Sequence, residues 1–175
     1  MLHLPPERKK TKKQTPEKKF SGEIREAIQA LGRNARKHNF DDVGQVVAGR
    51  AARRPADWEF TYKGAHVVLE LKAIKGPTLP YSKIEFHQVR TLLREHDAGG
   101  FGLVLVKQLL ARPRVWVIPA PMLREHELDI GVRGSFVLGP PLLEVVKAPR
   151  EGFDGLYWGL AWMMEQLVAE RGTKC

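Results

Sequence analysis

Two adjacent segments of the sequence carry acidic and basic side chains at a spacing that would bring them together. Residues 57–62 alternate as a short strand, and residues 65–73 form a second, more apolar strand. The Lys-Gly dipeptide between them fits a two-residue turn. Counting outward from that turn places Asp57 opposite Glu70, with their β-carbon atoms about 5 Å apart. Lys72 follows Glu70 by two residues and therefore shares its face of the sheet.

Two carboxylates and an amine on one face are suited to phosphodiester hydrolysis. Carboxylate oxygens are ligands for Mg²⁺ or Mn²⁺, and a metal offsets the repulsion between neighbouring acids. A bound metal lowers the pKa of its water and stabilises the charge that builds on an attacked phosphodiester. Lys72 would position the water, accept its proton or contact the phosphate. The alternative is a structural ion pair between Glu70 and Lys72 on an exposed sheet face. The two residues interrupt an apolar run in which unpaired charges are costly, and this distinguishes them from the similar acid–lysine triplets in the N-terminal tail. Taken alone, the triplet leaves the catalytic and the structural interpretation equally open.

Periodic apolar residues predict the elements that surround this hairpin. A first helix is expected after Ser21, its N-cap, and is expected to end near Lys37. A second helix begins at Ser82 or Lys83, with an apolar stripe that packs inward and Gln88 beside the stripe. That stripe consists of Phe86, Val89, Leu92 and Leu93. The other predicted elements are strands at 101–107 and 114–118 and a short helix at 119–127. An aromatic-rich segment at 155–164 is interpreted first as a helix packed in the core and second as a dimer interface. The pattern predicts an α/β domain with a central mixed sheet flanked by helices.

Several landmarks between Pro55 and Gln108 occur together in an order that is typical of one nuclease family. They are Asp57, the hairpin glycine Gly64, Glu70-Leu71-Lys72, His87-Gln88 and Gly99-Gly100 before an apolar strand. In this combination the segment resembles the RecU-type Holliday junction resolvases of the PD-(D/E)xK nuclease superfamily. The resemblance implies a restriction-endonuclease-like core in which Asp57 and Glu70 bind Mg²⁺, or Mn²⁺, with Lys72 as the catalytic lysine and Gln88 as a further active-site residue. It also implies a homodimer that resolves four-way DNA junctions by symmetric cleavage.

Three features depart from the family pattern. Family members carry an acid on the first helix that helps to complete the site, and Glu23 and Glu26 both lie near that place, although either is also explained as a surface charge. Glu59 shares the strand face of Asp57 and is a third ligand or, as we prefer, a solvated side chain. The stretch before Asp57 is shorter than in the resolvases, where an inserted stalk reaches the junction centre. Alternative functions are therefore a broader endonuclease of branched or duplex DNA, and a catalytically silent DNA-binding module.

Composition favours a nucleic acid as the partner. The chain has 175 residues, enough for a single domain, and a formal net charge of +9, which suits a polyanion. We interpret residues 1–20 as a disordered basic tail and residues 21–175 as the nuclease domain. The predicted DNA-binding cations are Lys9, Lys10, Lys12 and Lys13 in the tail, and Arg50, Arg53 and Arg54 before Asp57. A single cysteine and the absence of a signal-peptide pattern or an apolar span predict a cytoplasmic protein that does not enter membranes.

Overall fold

The computed structural model describes residues 14–32, 35–37, 56–145 and 156–172, with the backbone alone for residues 35–37, 156–158 and 170–172. The helices within these residues are α1 Pro16–Ala30, α2 Phe86–Asp97, α3 Ala120–Arg124 and α4 Leu156–Gly172. The strands are β1 Ala35–Lys37, β2 Trp58–Tyr62, β3 Ala65–Ile74, β4 Thr78–Pro80, β5 Phe101–Gln108, β6 Arg114–Pro119, β7 Ser135–Val137 and β8 Leu143–Glu144. A 3-10 turn at Tyr81–Lys83 precedes α2.

The larger sheet has six strands in the order β1-β2-β3-β5-β6-β8. All neighbouring strands are antiparallel except β3 and β5, which are parallel and are connected through α2. Strands β4 and β7 form a separate antiparallel pair. The predicted class, an α/β domain with a mixed central sheet between helices, is confirmed at this level.

Each face of the sheet is covered by different helices. One face carries Val67, Leu69 and Leu71 of β3, which pack with buried residues of α1 and α4. The opposite face carries Val68 of β3 and Val104 of β5, which pack with α2 and α3. Because side chains alternate along a strand, Glu70 and Lys72 belong to the face that α2 covers.

The β2–β3 hairpin has the turn that the sequence predicts. Lys63 and Gly64 both have positive φ, at 48° and 82°, as a two-residue type I′ turn requires. Tyr62 pairs with Ala65, and the register runs outward to Trp58 opposite Leu69. The next pair of residues outward is Asp57 and Glu70, so the predicted placement of Asp57 opposite Glu70 is confirmed.

Helix α2 lies unusually close to the sheet. A β-carbon at Gly102 of β5 would come within 2.1 Å of the Leu92 carbonyl oxygen, so only glycine permits this approach. The closeness matters for the site because α2 also carries Gln88.

Helix α1 differs from the prediction at both ends. It begins at Pro16, with Thr15 as the N-cap, because the Thr15 hydroxyl accepts the Lys18 N–H at 3.3 Å and Pro16 suits the first turn. Phe20 is fully buried and anchors this first part. The predicted disordered tail is therefore wrong for residues 16–20, and residues 1–13 lie outside the described part. The helix ends at Ala30 rather than near Lys37, because residues 35–37 pair with β2 as a strand.

The apolar stripe of α2 also departs from the prediction at its first residue. Val89, Leu92 and Leu93 are buried as expected, whereas Phe86 is 50% exposed. The helix begins at Phe86, after the 3-10 turn and two further residues, so its first side chain lies at the open end of the stripe. In the late helix α4, Leu160, Met163 and Met164 are buried as a core helix requires. No helix in the described ranges has the length and apolar character needed to cross a membrane.

Candidate metal and catalytic site

The sheet has a step between β2 and β3. β2 begins at Trp58, opposite Leu69, whereas β3 continues past Leu69 to Ile74. Asp57 lies at this step. Its N–H donates to the Leu69 carbonyl at 3.1 Å, and its Oδ2 accepts the Leu71 N–H at 2.8 Å. The carboxylate thus takes the place of a strand partner, and these two bonds fix it beside Glu70.

Glu70 is the buried acid of the pair. Its side chain is 2% exposed, and its two oxygens have different surroundings. Oε1 accepts hydrogen bonds from Lys72 Nζ at 2.8 Å and from Gln88 Nε2 at 2.6 Å. Oε2 is buried and has no hydrogen-bond partner in the described part of the chain. A buried, ionised carboxylate oxygen without a donor is costly, so it calls either for a cation or for a proton that Glu70 would share with Asp57.

Gln88 connects α2 to both partners of this ion pair. Its Oε1 accepts the Glu85 N–H at 2.9 Å, at the start of the helix, and lies 3.3 Å from Lys72 Nζ. Its Nε2 is thereby left to donate to Glu70. The backbone of the helix terminus therefore orients the amide, and the amide in turn orients the carboxylate.

The electrostatics of the pair favour a positive ligand. Burial raises the pKa of Glu70 to about 7, the Lys72 ammonium opposes this rise, and the Asp57 carboxylate adds to it. The influence of Asp57 shows that the two acids are close enough to repel each other. A divalent cation between them would relieve both the repulsion and the burial of charge.

The donor set fits Mg²⁺ or Mn²⁺. Mg²⁺ is typically held by one or two carboxylates and keeps several waters or phosphate oxygens. Asp57 and Glu70 supply two carboxylates, and Oε2 of Glu70 is an unpaired oxygen of the right type. No third histidine, cysteine, aspartate or glutamate joins them among the residues that the structure describes.

The two acids proposed on the first helix are not part of this cluster. Both carboxylate oxygens of Glu23 accept hydrogen bonds from Lys107 Nζ at 2.5 Å. Lys107 follows Leu105 by two residues and Leu103 by four along β5, so it shares their face of the sheet. The Glu23–Lys107 pair therefore lies on the α1 face, opposite to Glu70. Glu26 is exposed on α1. Neither residue contributes to the perturbed pKa of Glu70.

Glu59 belongs to a second polar cluster on the α2 face. Its Oε1 lies 2.7 Å from Nε2 of His66, and the other ring nitrogen, Nδ1, lies 2.7 Å from Glu95 Oε1. Glu59 is thus neither a ligand beside Asp57 nor freely solvated. Burial lowers the pKa of His66, but the two carboxylates outweigh burial and raise it overall. The hairpin register carried a signal for this cluster, since Glu59 and His66 are diagonal neighbours across the strands.

All of the predicted DNA-binding cations lie outside the described residues. They are Lys9, Lys10, Lys12, Lys13, Arg50, Arg53 and Arg54. His87, one of the landmarks of the family resemblance, lies 3.2 Å from the Glu85 carboxylate. Comparison of the chain with known family models and with curated proteins found no match.

Proposed function

We propose that the protein is a metal-dependent DNA endonuclease with a restriction-endonuclease-like core, of the Holliday junction resolvase type. The observation that carries the proposal is the buried Glu70 carboxylate, which has one oxygen held by Lys72 and Gln88 and the other unpaired beside Asp57. The mixed sheet between helices and the net charge of +9 support it.

Each side chain has a defined task in this proposal. Asp57 and Glu70 would hold Mg²⁺, which supplies an activated water and charge stabilisation to the phosphate when it is bound. Gln88 fixes the rotamer of Glu70, so that Oε2 is the oxygen left for the metal. Lys72 places a positive charge beside the reacting phosphate or its water. Water attacks phosphorus, a new P–O bond forms, and the bond to the leaving sugar oxygen breaks.

The substrate and assembly extend the same proposal. Two copies related by a two-fold axis would place one site on each of two opposite strands of a four-way junction. Sedimentation of the protein alone and with junction DNA tests whether the active species is a homodimer.

Cleavage of a mobile four-way DNA junction in the presence of Mg²⁺ is the direct test. We expect the wild-type protein to give symmetrically nicked duplexes. Lys72→Ala is expected to lower the cleavage rate by roughly 10²- to 10⁴-fold, because it removes a charge aimed at the transition state. Binding of the uncut junction should change much less, since one cation among many contributes little to total affinity.

Lys75→Ala is the matched control, because Lys75 is an exposed lysine just after the same strand. It should retain cleavage within a few-fold of the wild type. Equal cutting of junctions, flaps and continuous duplex would replace the junction assignment with a broader endonuclease. Binding without cleavage under Mg²⁺ and Mn²⁺ would instead indicate a silent DNA-binding module.

A further inference from the structure

Helix α2 makes a second polar contact with the sheet, apart from the one at the candidate site. Oε1 of Glu95, in the last turn of the helix, lies 2.7 Å from Nδ1 of His66 on β3. Gln88 and Glu95 are seven residues apart, about two helical turns, so both side chains project from the same face of α2. His66 and Glu70 are four residues apart on β3 and share the face that α2 covers. The helix is therefore fastened to one strand face at two points.

Between these two contacts the helix backbone lies directly against β5. A β-carbon at Gly102 would come within 2.1 Å of the Leu92 carbonyl oxygen, so no side chain separates the helix from the strand there. Leu92 is four residues from Gln88 and three from Glu95, so the polar contacts lie about 6 Å and 5 Å to either side of it along the helix. If the contact at Glu95 loosens, the helix can tilt about this point, and the tilt displaces Gln88 by a similar distance.

His66 has a carboxylate at each ring nitrogen. Nε2 lies 2.7 Å from Glu59 Oε1 on β2, and Nδ1 lies 2.7 Å from Glu95 Oε1 on α2. A neutral imidazole has one donor and one acceptor nitrogen and can satisfy only one carboxylate, whereas an imidazolium donates to both. Burial opposes the charge, but the two carboxylates outweigh burial and raise the pKa of His66. The pair of contacts therefore needs the protonated ring.

The charged groups that face His66 in the described ranges are these two acids. β2 also places the uncharged Thr61 opposite His66, and the start of β5, beside β3, carries the uncharged Gly100 and Phe101. When the ring loses its proton, its one remaining N–H is shared between the two acids. The contact with Glu95, which holds the helix, is then weakened.

Resting on the proposed function, we infer that His66 is a positioning residue of the candidate site: as an imidazolium it fastens the last turn of α2 to the sheet and thereby keeps Gln88 against Glu70. His66 is four strand residues, about 13 Å, from Glu70 and does not touch the reacting atoms, so it acts only through the helix. Cleavage is therefore coupled to the charge of a residue outside the site.

A double-mutant cycle with Gln88 tests this coupling. Cleavage of junction DNA at saturating Mg²⁺ is measured at pH 6 and pH 9. At pH 6, His66→Gln is expected to lower the rate roughly 2- to 30-fold, the range for a residue that acts through others. At pH 9 the wild-type ring is neutral, so the two rates should agree within about twofold. In a Gln88→Ala background, His66→Gln should cost less than about twofold at pH 6, because the effects of coupled residues do not add.

Glu95→Gln tests the same contact from the helix. Its side-chain amide can donate to a neutral ring or accept from a charged one, so the contact no longer depends on the proton. At pH 9 this variant should therefore cleave roughly 2- to 30-fold faster than the wild type, and at pH 6 the two should agree. This variant keeps the inference testable if His66→Gln does not fold.

The side-chain amide resonance of Gln88 in the metal-free protein gives a readout without cleavage. It should differ between the wild type and His66→Gln at pH 6 and coincide at pH 9, while titration of Glu70 shifts both alike. His96→Gln is the matched control, since His96 is the neighbour of Glu95 on α2, and it should match the wild type in both measurements.

Equal losses of rate at both pH values, additive losses in the Gln88→Ala background, or a Gln88 resonance that ignores His66 would overturn the inference. A resonance that follows His66 in a protein that never cuts would support the positioning role and reject the nuclease. Cleavage by a protein in which His66→Gln alters neither the rate nor the resonance would retain the nuclease and reject the positioning role.

Discussion

Replacement of Glu70 by glutamine tests the buried carboxylate through the pH dependence of stability. In the folded protein, burial raises the pKa of Glu70 to about 7, against an ordinary value of 4.5. At about 1.4 kcal/mol per pKa unit, the difference corresponds to about 3.5 kcal/mol. Since the folded-state pKa is the higher one, the folded state binds the proton more tightly. The contribution to stability is present below pH 4.5 and is lost as the pH rises to about 7.

The free energy of unfolding is measured with urea at pH 5 and pH 8, without divalent metal, for the wild type and Glu70→Gln. Glutamine does not titrate, so its advantage over glutamate should grow by about 2.5 kcal/mol between these pH values, because glutamate in the unfolded chain is already mostly ionised at pH 5. Any constant cost of the new amide cancels in this comparison. Mg²⁺ added at pH 8 should then stabilise the wild type and leave Glu70→Gln unchanged, because ligand binding to the folded state raises its stability.

Glu26→Gln provides the control, because Glu26 is an exposed acid on α1. It should follow the wild type at both pH values and respond to Mg²⁺ in the same way. If the wild type and Glu70→Gln showed the same pH dependence, Glu70 would not be a desolvated acid. If the wild type gained no stability from Mg²⁺ or Mn²⁺ at pH 8, the Glu70–Lys72 contact would be a structural ion pair.

Two further changes test the elements that position the site. His66→Gln should destabilise the protein most below pH 6.5, and this loss of stability should become smaller at alkaline pH. The reason is that the pKa of His66 is raised in the folded state, so its contacts with the two carboxylates are strongest when the ring is protonated. Urea unfolding at pH 6 and pH 9 measures this, and a deficit independent of pH would argue against an imidazolium. Gly102→Ala should lower stability by about 2 kcal/mol or more, because its β-carbon would overlap the Leu92 carbonyl. Gly22→Ala, in open space on α1, should instead raise stability by up to about 1 kcal/mol in thermal unfolding, and a similar response of both variants would refute the close approach of α2.

Local rules were sufficient for the centre of the site. The two-residue turn set the hairpin register, and strand alternation then placed Glu70 and Lys72 on one face. The position of Gln88 followed from the family resemblance, and the structure brings its amide to within 2.6 Å of Glu70. The hairpin register and the shared face of Glu70 and Lys72 depend only on residues that are close together in the sequence. The position of Gln88 depends only on one helix that packs across two strands.

Long-range packing limited the rest. The sequence cannot show that Lys107 reaches α1 from the opposite face of the sheet, so Glu23 was considered near the site. The helical spacing of apolar residues likewise assigned Phe86 to the core, whereas Phe86 is half exposed. Spacing alone does not reveal where the sheet beneath a helix ends. The start of α1 was missed because Thr15 and Pro16 lie among lysines that resemble a solvated tail, while Phe20 anchors them only in the folded chain.

The distribution of donors around Glu70 favours a ligand site over a structural ion pair. A carboxylate that serves only stability gains most when its donors are shared between both oxygens, since an unmade hydrogen bond on a buried atom costs about 1–3 kcal/mol. Here Lys72 and Gln88 both donate to Oε1, and Oε2 is left without a donor. The Gln88 amide cannot turn to correct this without losing its bond to the Glu85 N–H. The start of α2 therefore maintains an unsatisfied oxygen beside Asp57, which is the arrangement a divalent cation would complete.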